Sequence, residues 1–302
     1  MYDLIVVGGG PAGLTATIYG LRKRLNVLMI TKDLGGKTQY RLALPWIQDY
    51  QVIRGLEVVN KFRSELEYLE FARHMDLVEK VTNKKDHFVI TTKGGEEFQT
   101  RTVIIATGTR QVRLNVPGEK EFTMRGLCYS ALSYAPLFID KEVIVIGDGD
   151  LALRATAELA TVAKHASLVS KGLGKSLSTA LGKKLAAAKN VKILKDYQVM
   201  EFKGDEFAEA VTLKDLSGSV VDFKADGIFI EQALTPMSQM VDGLVELDKQ
   251  GRIIIDCGSR TTLPGIFAAG DVTNTYAEQV LVAVGEGAKA ALSAYEYLLP
   301  TL

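Results

Sequence analysis

The sequence has few of the residues that build disulfide frameworks or metal centres. Its 302 residues include two cysteines, three histidines and one tryptophan, and the formal net charge is zero. Cys128 and Cys257 are too far apart in sequence for a disulfide framework or a metal-binding motif, and the histidines are isolated, so we expect no metal. A charge balance of zero gives no reason to expect nucleic acid or an anionic membrane surface as a partner.

Long apolar runs are also lacking. The longest one, residues 279–299, carries Glu286, Lys289 and Glu296, so it predicts a packed helix rather than a membrane span. The first predicted strand begins at the N-terminus and leaves no room for a signal peptide. The expected lack of a signal peptide and the two dispersed cysteines together predict a cytoplasmic protein. The length is sufficient for about two domains with sizeable cores.

Glycine, in contrast, is plentiful, and its first cluster organises the chain. The stretch Tyr2–Gly13, YDLIVVGGGPAG, indicates a buried strand, a tight turn and the start of a helix. The unpaired amides and the dipole of such a helix start suit a pyrophosphate. One GxGxxG pattern alone fits either a nucleotide site or an ordinary strand–helix turn. Asp33, after the next predicted strand, is a candidate for binding the ribose, although it follows Gly8 by 25 residues.

The same pattern returns in the middle of the chain. Glu142–Ala152, EVIVIGDGDLA, matches Asp3–Gly13 at an offset of 139 residues, which makes Gly147, Gly149 and Ala152 a second nucleotide motif. An internal duplication of strand, turn and helix is more specific than one copy. It predicts two nucleotide-binding units of similar design.

The second copy differs from the first in its charges. Asp148 and Asp150 place carboxylates where a pyrophosphate would lie, and Asp148 is the less favourable of the two. The next predicted strand, Ala166–Ser170, ends without an acid for a ribose diol or an arginine pair for a ribose phosphate. Residues 159–195 contain eight lysines and no acid. This segment predicts either a solvated basic face or an anion site, for a nucleotide phosphate or for an acidic electron carrier docking on residues 164–195.

Other segments complete an α/β pattern. Antiparallel strands are predicted at 76–81, 87–92 and 97–100, and hairpin strands at 208–213 and 220–224. Arg101–Gly108 and Leu263–Asp271 predict buried strands that end in glycine. Asp271 fits either an acceptor for a ligand hydroxyl or a cap for the following helix. Gly251–Asp256 predicts another strand. Gln39–Gly55, which contains the tryptophan, predicts an irregular loop, over the ligand or packed on the surface.

These patterns predict an α/β protein with two Rossmann-like, three-layer dinucleotide-binding domains, the second inserted in the first. We place the first domain at residues 1–113 plus 241–302 and the central, degenerate one at 114–240.

The four motifs GGGPAG, IIATG, GDGDLA and GIFAAGDV, in this order, resemble the low-molecular-weight thioredoxin reductases over essentially the whole chain. The resemblance implies a homodimer whose first domain is an FAD-binding domain and whose central domain is an NAD(P)H-binding-like domain. It implies that the first turn holds the pyrophosphate, that Asp271 binds the ribityl chain and that Ala277–Val280 lies along the flavin. The candidate FAD-binding residues are Gly8, Gly10, Pro11, Ala12, Gly13, Thr31, Lys32, Gly35, Gly36, Lys37, Gly108, Gly270, Asp271, Glu278, Gln279 and Val280.

The sequence departs from that family at its redox centre. The family carries a disulfide as Tyr-Cys-Ala-x-Cys-Asp, whereas residues 129–134 here are YSALSY. Ser130 and Ser133 cannot cycle through a disulfide, because a hydroxyl is neither oxidised in this way nor ionised near neutrality. Dithiol reduction by the family mechanism is therefore excluded at this site. Tyr129, Ser130 and Ser133 stay as candidates for the flavin face, and Cys128 fits a small buried residue better than a redox partner.

The family's NADPH signature, a His-Arg-Arg cluster, is also missing after Val169, and Gln232–Met237 stands in place of a Gly-x-x-Pro-Asn loop. Each lost charge-assisted bond to a 2′-phosphate costs about 1.5–3 kcal/mol. We therefore predict an FAD-containing oxidoreductase that takes electrons from a ferredoxin-like carrier or weakly bound NAD(P)H. The alternatives are a non-catalytic FAD-binding sensor or scaffold, and a diflavin protein with a second flavin in the central domain.

Overall fold

A computed structural model describes residues 1–50 and 55–302. The strands are β1 (Tyr2–Val7), β2 (Val27–Ile30), β3 (Leu42–Leu44), β4 (Ile47–Tyr50), β5 (Arg73–His74), β6 (Val78–Asn83), β7 (Phe88–Thr92), β8 (Glu97–Ile105), β9 (Thr109–Gln111), β10 (Leu127–Cys128), β11 (Glu142–Ile146), β12 (His165–Ser170), β13 (Val191–Lys195), β14 (Gln198–Gly204), β15 (Ala208–Lys214), β16 (Val220–Lys224), β17 (Gly227–Ile230), β18 (Leu234–Pro236) and β19 (Ile266–Ala268). The α-helices are α1 (Pro11–Arg22), α2 (Leu56–Tyr68), α3 (Glu119–Phe122), α4 (Ala131–Tyr134), α5 (Gly149–Ala160), α6 (Ala180–Ala187) and α7 (Val280–Leu298). Short 3₁₀ helices occur at Gly36–Gln39, Glu70–Ala72, Ala135–Phe138, Gly174–Ser178, Gln239–Val241 and Leu299–Thr301.

The chain divides into two compact units. The first comprises residues 1–39, 53–110 and 235–302, and the second comprises residues 40–52 and 111–234. The sequence-based division differs mainly in residues 40–52, which group with the second unit. The reason is local packing, because Trp46 contacts the ring of Phe138 edge-on at 5.8 Å between centroids and donates a hydrogen bond to the carbonyl of Leu137.

The first unit is built on a parallel sheet with the order β5-β2-β1-β8, and β19 pairs with the far side of β8. This is the strand order of a Rossmann fold. The sequence predicts two strands within residues 97–108, whereas β8 is one strand. Its first half pairs antiparallel with β7 and its second half pairs parallel with β1.

Both faces of that sheet are covered. Helices α1, α2 and α7 pack on one face around Leu4, Val6 and Ile104. The other face is closed by a cluster that includes Ile5 and Ile105. Fully burying an aliphatic side chain of this size contributes about 1.5–3 kcal/mol to the free energy of folding. Because alternate residues of each strand are buried in the two clusters, this burial holds the strands in position.

Helix α7 is the longest described helix, with 19 residues. It packs closely on α1, because a Cβ on Gly287 would lie only 2.2 Å from the carbonyl oxygen of Ala12. The residues that the structure describes contain no helix with both the length and the apolar character needed to cross a bilayer.

The second unit has a parallel sheet with the order β10-β17-β11-β12-β13. Helices α4, α5 and α6 cover one face around Phe138, Leu153 and Phe229. The antiparallel sheet β14-β15-β16 covers the other, around Ile144 and Val211. The three layers of this unit confirm the predicted fold class.

The duplication seen in the sequence extends to the strand register. Leu4 pairs with Val27 in the first unit, and Val143 pairs with Ala166 in the second. Both pairs are related by the same offset of 139 residues. The offset persists to the end of the second strand of each unit, so equivalent residues can be compared directly.

Two predicted segments differ from the structure. Part of the predicted irregular loop 39–55 is the hairpin β3–β4, whose Leu42 and Leu44 are buried; residues 51–54 lie outside the described residues. The predicted strand Gly251–Asp256 is wrong, because Ile253 makes only isolated bridges to Leu247 and Thr273. The apolar side chains of this segment pack in the core, but the segment does not join a sheet.

Candidate functional site

The first glycine turn is shaped by close backbone contacts. A Cβ on Gly8 would lie 2.5 Å from the carbonyl oxygen of Ala106, and one on Gly13 would lie 1.8 Å from the carbonyl oxygen of Gly8. Neither distance is possible for a real side chain. Glycine is therefore required here to bring the end of β1, the neighbouring strand and α1 together.

The outer side of this turn is open. A Cβ on Gly10 would meet no atom of residues 1–50 and 55–302 within 4 Å. Gly10 is also the N-cap of α1, whose start has Pro11 in its first turn, no side-chain cap and no acidic residue. A helix start without a cap presents amides that need an acceptor, and the helix dipole favours an anion there. These features fit the pyrophosphate of FAD, as the sequence predicts.

The loop after β2 is fastened to this turn. The amide of Gly35 donates to the carbonyl of Gly9 at 2.7 Å, and Gly36 approaches Gly10 so closely that a Cβ would lie 3.2 Å from its Cα. Asp33 accepts a hydrogen bond from the amide of Gly36 at 3.0 Å. The predicted residues of loop 31–37 therefore lie beside the turn, and one oxygen of the Asp33 carboxylate is already used to hold the loop.

Lys37 and Asp271, which the sequence predicts separately, form an ion pair. The Nζ atom of Lys37 lies 2.6 Å from Oδ2 of Asp271 and donates to the hydroxyl of Thr109 at 2.9 Å. The Asp271 side chain is 15% exposed. Sequence reasoning missed Thr109, although a threonine directly after the strand-ending Gly108 was the available signal. These contacts hold the carboxylate at the carboxyl end of the sheet, where a ligand hydroxyl can donate to it.

Glu278, Gln279 and Val280 lie at the start of α7. Gln279 is its N-cap and makes no side-chain capping bond, so among the described residues this helix start also offers free amides. Desolvation by surrounding protein raises the pKa of Glu278, and the neighbouring Asp271 carboxylate raises it further, while Lys37 opposes the shift. The start of α7 therefore combines a positive dipole with a carboxyl group that gains a proton more readily than usual.

The second glycine turn reproduces the backbone of the first. The amide of Gly147 donates to the carbonyl of Val169, as that of Gly8 does to Ile30. A Cβ on Gly147 would lie 2.2 Å from the carbonyl oxygen of Glu231. Glycine is needed here for the same reason as in the first unit.

The charges around the second turn are different. Asp148 is the N-cap of α5, but its side chain makes no capping bond. Its Oδ1 instead accepts hydrogen bonds from the Ser170 hydroxyl and from the amides of Lys171, at 3.0 Å, and Gly172, at 3.1 Å. The Asp148 carboxylate, which is unfavourable for a pyrophosphate according to the sequence, is thus bound to the end of β12.

The two candidate serines are adjacent in space. Ser130 Oγ donates to Ser133 Oγ at 3.0 Å and also accepts from the amide of Ser133 at the start of α4. Tyr129 lies beside them but donates to the buried carboxylate of Glu119 at 2.9 Å. Burial raises the pKa of Tyr129 to about 12, so the hydroxyl keeps its proton. The structure brings the two serines together and places the tyrosine hydroxyl on a separate hydrogen bond.

The cysteines have contrasting surroundings. Cys128 is fully buried and Cys257 is exposed. Burial raises the pKa of the Cys128 thiol well above its usual range, and the charge of Glu231 acts in the same direction. The Glu231 carboxylate also accepts from the amide of Ala131 at 2.6 Å. Burial beside a carboxylate is the opposite of the exposed, electropositive surroundings that activate a thiol.

The lysine-rich segment does not form one face. All eight of its lysines are exposed. Lys171 and Lys195 lie at the carboxyl ends of β12 and β13, whereas Lys164 and Lys189 precede those strands. Strands of this length separate the two ends by about 16 Å. The structure therefore places only part of segment 164–195 at the end of the sheet where a Rossmann fold binds its ligand.

Comparisons with known proteins agree with this architecture. The family profile described as pyridine nucleotide-disulphide oxidoreductase matches residues 2–287. The solved structure of thioredoxin reductase from Streptococcus pyogenes MGAS5005 is 33% identical, with a TM-score of 0.89 over 99% of both chains. Thioredoxin reductase from Giardia duodenalis is 27% identical, with a TM-score of 0.84 and the same coverage of both chains.

Curated relatives give the same result for part of their length. NADH dehydrogenase of Bacillus subtilis (strain 168) is 32% identical, and the F component of alkyl hydroperoxide reductase of Pseudomonas aeruginosa is 34% identical. Each match covers 99% of this chain but 59% of the relative. The comparisons confirm the predicted class of a thioredoxin reductase-like flavoprotein oxidoreductase. The chain belongs to the pyridine nucleotide-disulphide oxidoreductase family, whose members are FAD-dependent enzymes.

Proposed function

We propose that this chain is an FAD-dependent oxidoreductase that takes electrons from a nicotinamide nucleotide and delivers them to an acceptor without a dithiol step at residues 130–133. FAD belongs to the first unit and the nucleotide to the second. The single observation that carries the proposal is the pair Ser130–Ser133, whose hydroxyl oxygens lie 3.0 Å apart at the start of α4. Thiols in that arrangement could form a disulfide, and hydroxyls cannot.

FAD, when bound, supplies the acceptance and release of an electron pair, and the protein supplies position and electrostatics. The uncapped start of α1 and the open side of Gly10 would hold the pyrophosphate. Asp271 would accept a hydrogen bond from the ribityl chain while Lys37 balances its charge. The segment Glu278–Val280, at the start of α7, would border the ring system.

The part of segment 164–195 that lies near the carboxyl end of the second sheet favours a second candidate electron donor. Lys171, Lys175 and Lys195 are exposed near the carboxyl end of the second sheet, and none forms an ion pair within residues 1–50 and 55–302. An acidic, ferredoxin-like carrier would be attracted to such a surface, and its association would weaken as salt is added. The other predictions, a second flavin, a homodimer and a cytoplasmic location, stay predictions.

The donor is identified by anaerobic reduction of the FAD-loaded protein. We expect NADH or NADPH to bleach the flavin absorbance near 450 nm within the time of a normal turnover, and an artificial acceptor to restore it. Bleaching by a reduced acidic carrier alone would favour the second candidate. A bound flavin that no donor reduces at a useful rate would contradict the enzyme and support the sensor or scaffold.

The absence of a dithiol step is tested by restoring the sulfurs. In the double variant Ser130→Cys and Ser133→Cys, we expect a disulfide to form and, after reduction, a charge-transfer absorbance between a thiolate and the flavin. The single variant Ser133→Cys is the matched control, because one thiol cannot form the internal disulfide. If the double variant shows no disulfide, residues 130 and 133 do not occupy the positions of the family's redox pair.

A further inference from the structure

The repeated register identifies equivalent residues in the two glycine turns. The offset of 139 residues makes Gly9 equivalent to Asp148 and Thr31 equivalent to Ser170. In the first unit there is no room for a side chain at this position, because a Cβ on Gly9 would lie 2.3 Å from the carbonyl oxygen of Asp33. The second unit carries a carboxylate where the first has only a hydrogen atom.

That carboxylate crosses to the end of β12. Asp148 Oδ1 receives the Ser170 hydroxyl and the amides of Lys171 and Gly172. Within the described ranges, Oδ2 of Asp148 receives no hydrogen bond, and the residue is exposed. One carboxylate oxygen of Asp148 therefore accepts hydrogen bonds from three donors, and the other faces solvent and can accept a further hydrogen bond.

This position is where a Rossmann unit meets the adenosine ribose. The residue that reads the ribose lies about 20 residues after the glycine turn, at the end of the second strand. Ser170 follows Gly147 by 23 positions. A ribose with free hydroxyls can donate to a carboxylate, whereas a 2′-phosphate needs donors and is repelled by a negative charge.

We propose that Asp148 is the specificity-determining residue of the second unit, which accepts a nicotinamide nucleotide with an unmodified ribose and excludes one with a 2′-phosphate. The inference rests on the proposed role of a nicotinamide nucleotide as the donor. Asp148 holds the donors that a 2′-phosphate would use and adds a charge that opposes it. The enzyme is thus selective for NADH over NADPH, and the selectivity comes from the turn rather than from the end of the second strand.

The other charges at this end of the sheet do not give the same selectivity. The exposed lysines at 171, 175 and 195 attract phosphate groups in general, so they raise the affinity for both nucleotides and give no preference for NADH. Asp150 lies two residues from Asp148 in the first turn of α5, and it is also exposed, but it makes no bond to the amides after β12 in the part of the chain that the structure describes. It therefore provides a matched control for loss of one negative charge.

The test measures the dissociation constants of NAD⁺ and NADP⁺ by calorimetry, with the full chain loaded with FAD. We expect the wild type to bind NAD⁺ at least tenfold more tightly. Asp148→Gly, which copies the first unit and frees the three donors, should shift the ratio of the two constants toward NADP⁺ by tenfold or more. Asp148→Asn, which removes only the charge, should shift it in the same direction by a smaller factor, and Asp150→Asn by less than threefold.

Three results would overturn the inference: a wild type that prefers NADP⁺, one that binds neither nucleotide, or a ratio that changes equally in the Asp148 and Asp150 variants. The proposed function fails on a different measurement. If bound NADH leaves the flavin oxidised while the ratio shifts as expected, the selectivity stands and the proposed donor is wrong. Melting temperatures of the variants show that any loss of binding is not a loss of folding.

Discussion

The two dinucleotide units share a backbone turn but surround it with different charges. In the first, Gly10 is the N-cap of α1, whose first turn has no acid, and Gly9 before it has no room for a Cβ. In the second, Asp148 precedes α5 and Asp150 lies in its first turn. The glycines that make the turn are set by backbone contacts, whereas the ligand is set by the side chains between them. A duplicated fold can therefore keep its geometry while its two copies bind different molecules.

The largest expected effect comes from filling the open side of the first turn. Gly10→Val should lower the affinity for FAD by a hundredfold or more, because its side chain would take the space reserved for the pyrophosphate. The backbone there is extended, so the fold should lose less than about 1 kcal/mol. Flavin content and melting temperature after purification measure the two effects.

Gly285→Ala is the control for an added methyl group, because a Cβ there also meets no atom of the described residues within 4 Å. It should keep its flavin. Normal flavin binding by Gly10→Val would show that the pyrophosphate does not lie on this turn, and the contrast between the two units would lose its basis.

The second prediction compares the last position of the GxGxx(G/A) motif in the two units, which is Gly13 in the first and Ala152 in the second. Gly13→Ala should destabilise the protein by about 1–3 kcal/mol, because the new Cβ would lie 1.8 Å from the carbonyl oxygen of Gly8. The second unit already carries Ala152 at the equivalent position, and Ala152→Gly should cost only about 1 kcal/mol of helix stability. Denaturant unfolding of both variants measures the difference, and equal losses would contradict the tighter packing of the first turn.

A third effect concerns the cation of the first unit. Lys37→Met should weaken FAD binding about tenfold, because the mostly buried Asp271 carboxylate would lose the cation that holds it in place. Lys85→Met is the control, since Lys85 is exposed in the loop between β6 and β7 and is not a candidate FAD-binding residue. It should change the affinity by less than threefold. Flavin release during ultrafiltration distinguishes them, and an equal effect would remove Lys37 from the site.

The smallest effect concerns the sulfur of the second unit. An alkylating reagent at pH 8 should modify Cys257, which is exposed, and leave Cys128 unmodified until the protein unfolds. Burial holds the pKa of Cys128 far above this pH, so its reactive thiolate is not formed. Mass spectrometry of digested protein locates the label. Rapid modification of Cys128 in the folded protein would show that the second unit does offer an accessible thiol.

The fold could be predicted from sequence where one pattern repeats. The offset between the glycine motifs predicted two units of similar design, since glycine turns and apolar runs have local causes, and the strand registers of both units follow the same offset. The hairpin of residues 42–50 was not foreseen, because its burial depends on the distant Phe138. The apolar run at 251–256 was predicted to be a strand, but this segment does not join a sheet, because burial of apolar residues does not require sheet pairing.

The site was predictable in its residues but not in its contacts. Lys37 and Asp271 each lie in a motif, yet their ion pair joins residues far apart in the chain and needs Thr109 as well. Asp148 was visible as an unfavourable charge in a glycine turn. Only the structure shows that it bonds to the amides after β12. Long-range pairing of polar groups leaves no periodic trace in a sequence.

The central claim is that electrons pass through the flavin without a disulfide. Anaerobic titration of the FAD-loaded protein with dithionite tests this most directly, because the flavin and a redox disulfide each take one electron pair. We expect full reduction after two electrons per bound flavin, and four in the variant with Ser130→Cys and Ser133→Cys. Uptake of four electrons by the wild type, or a purified protein that binds no flavin, would contradict the claim.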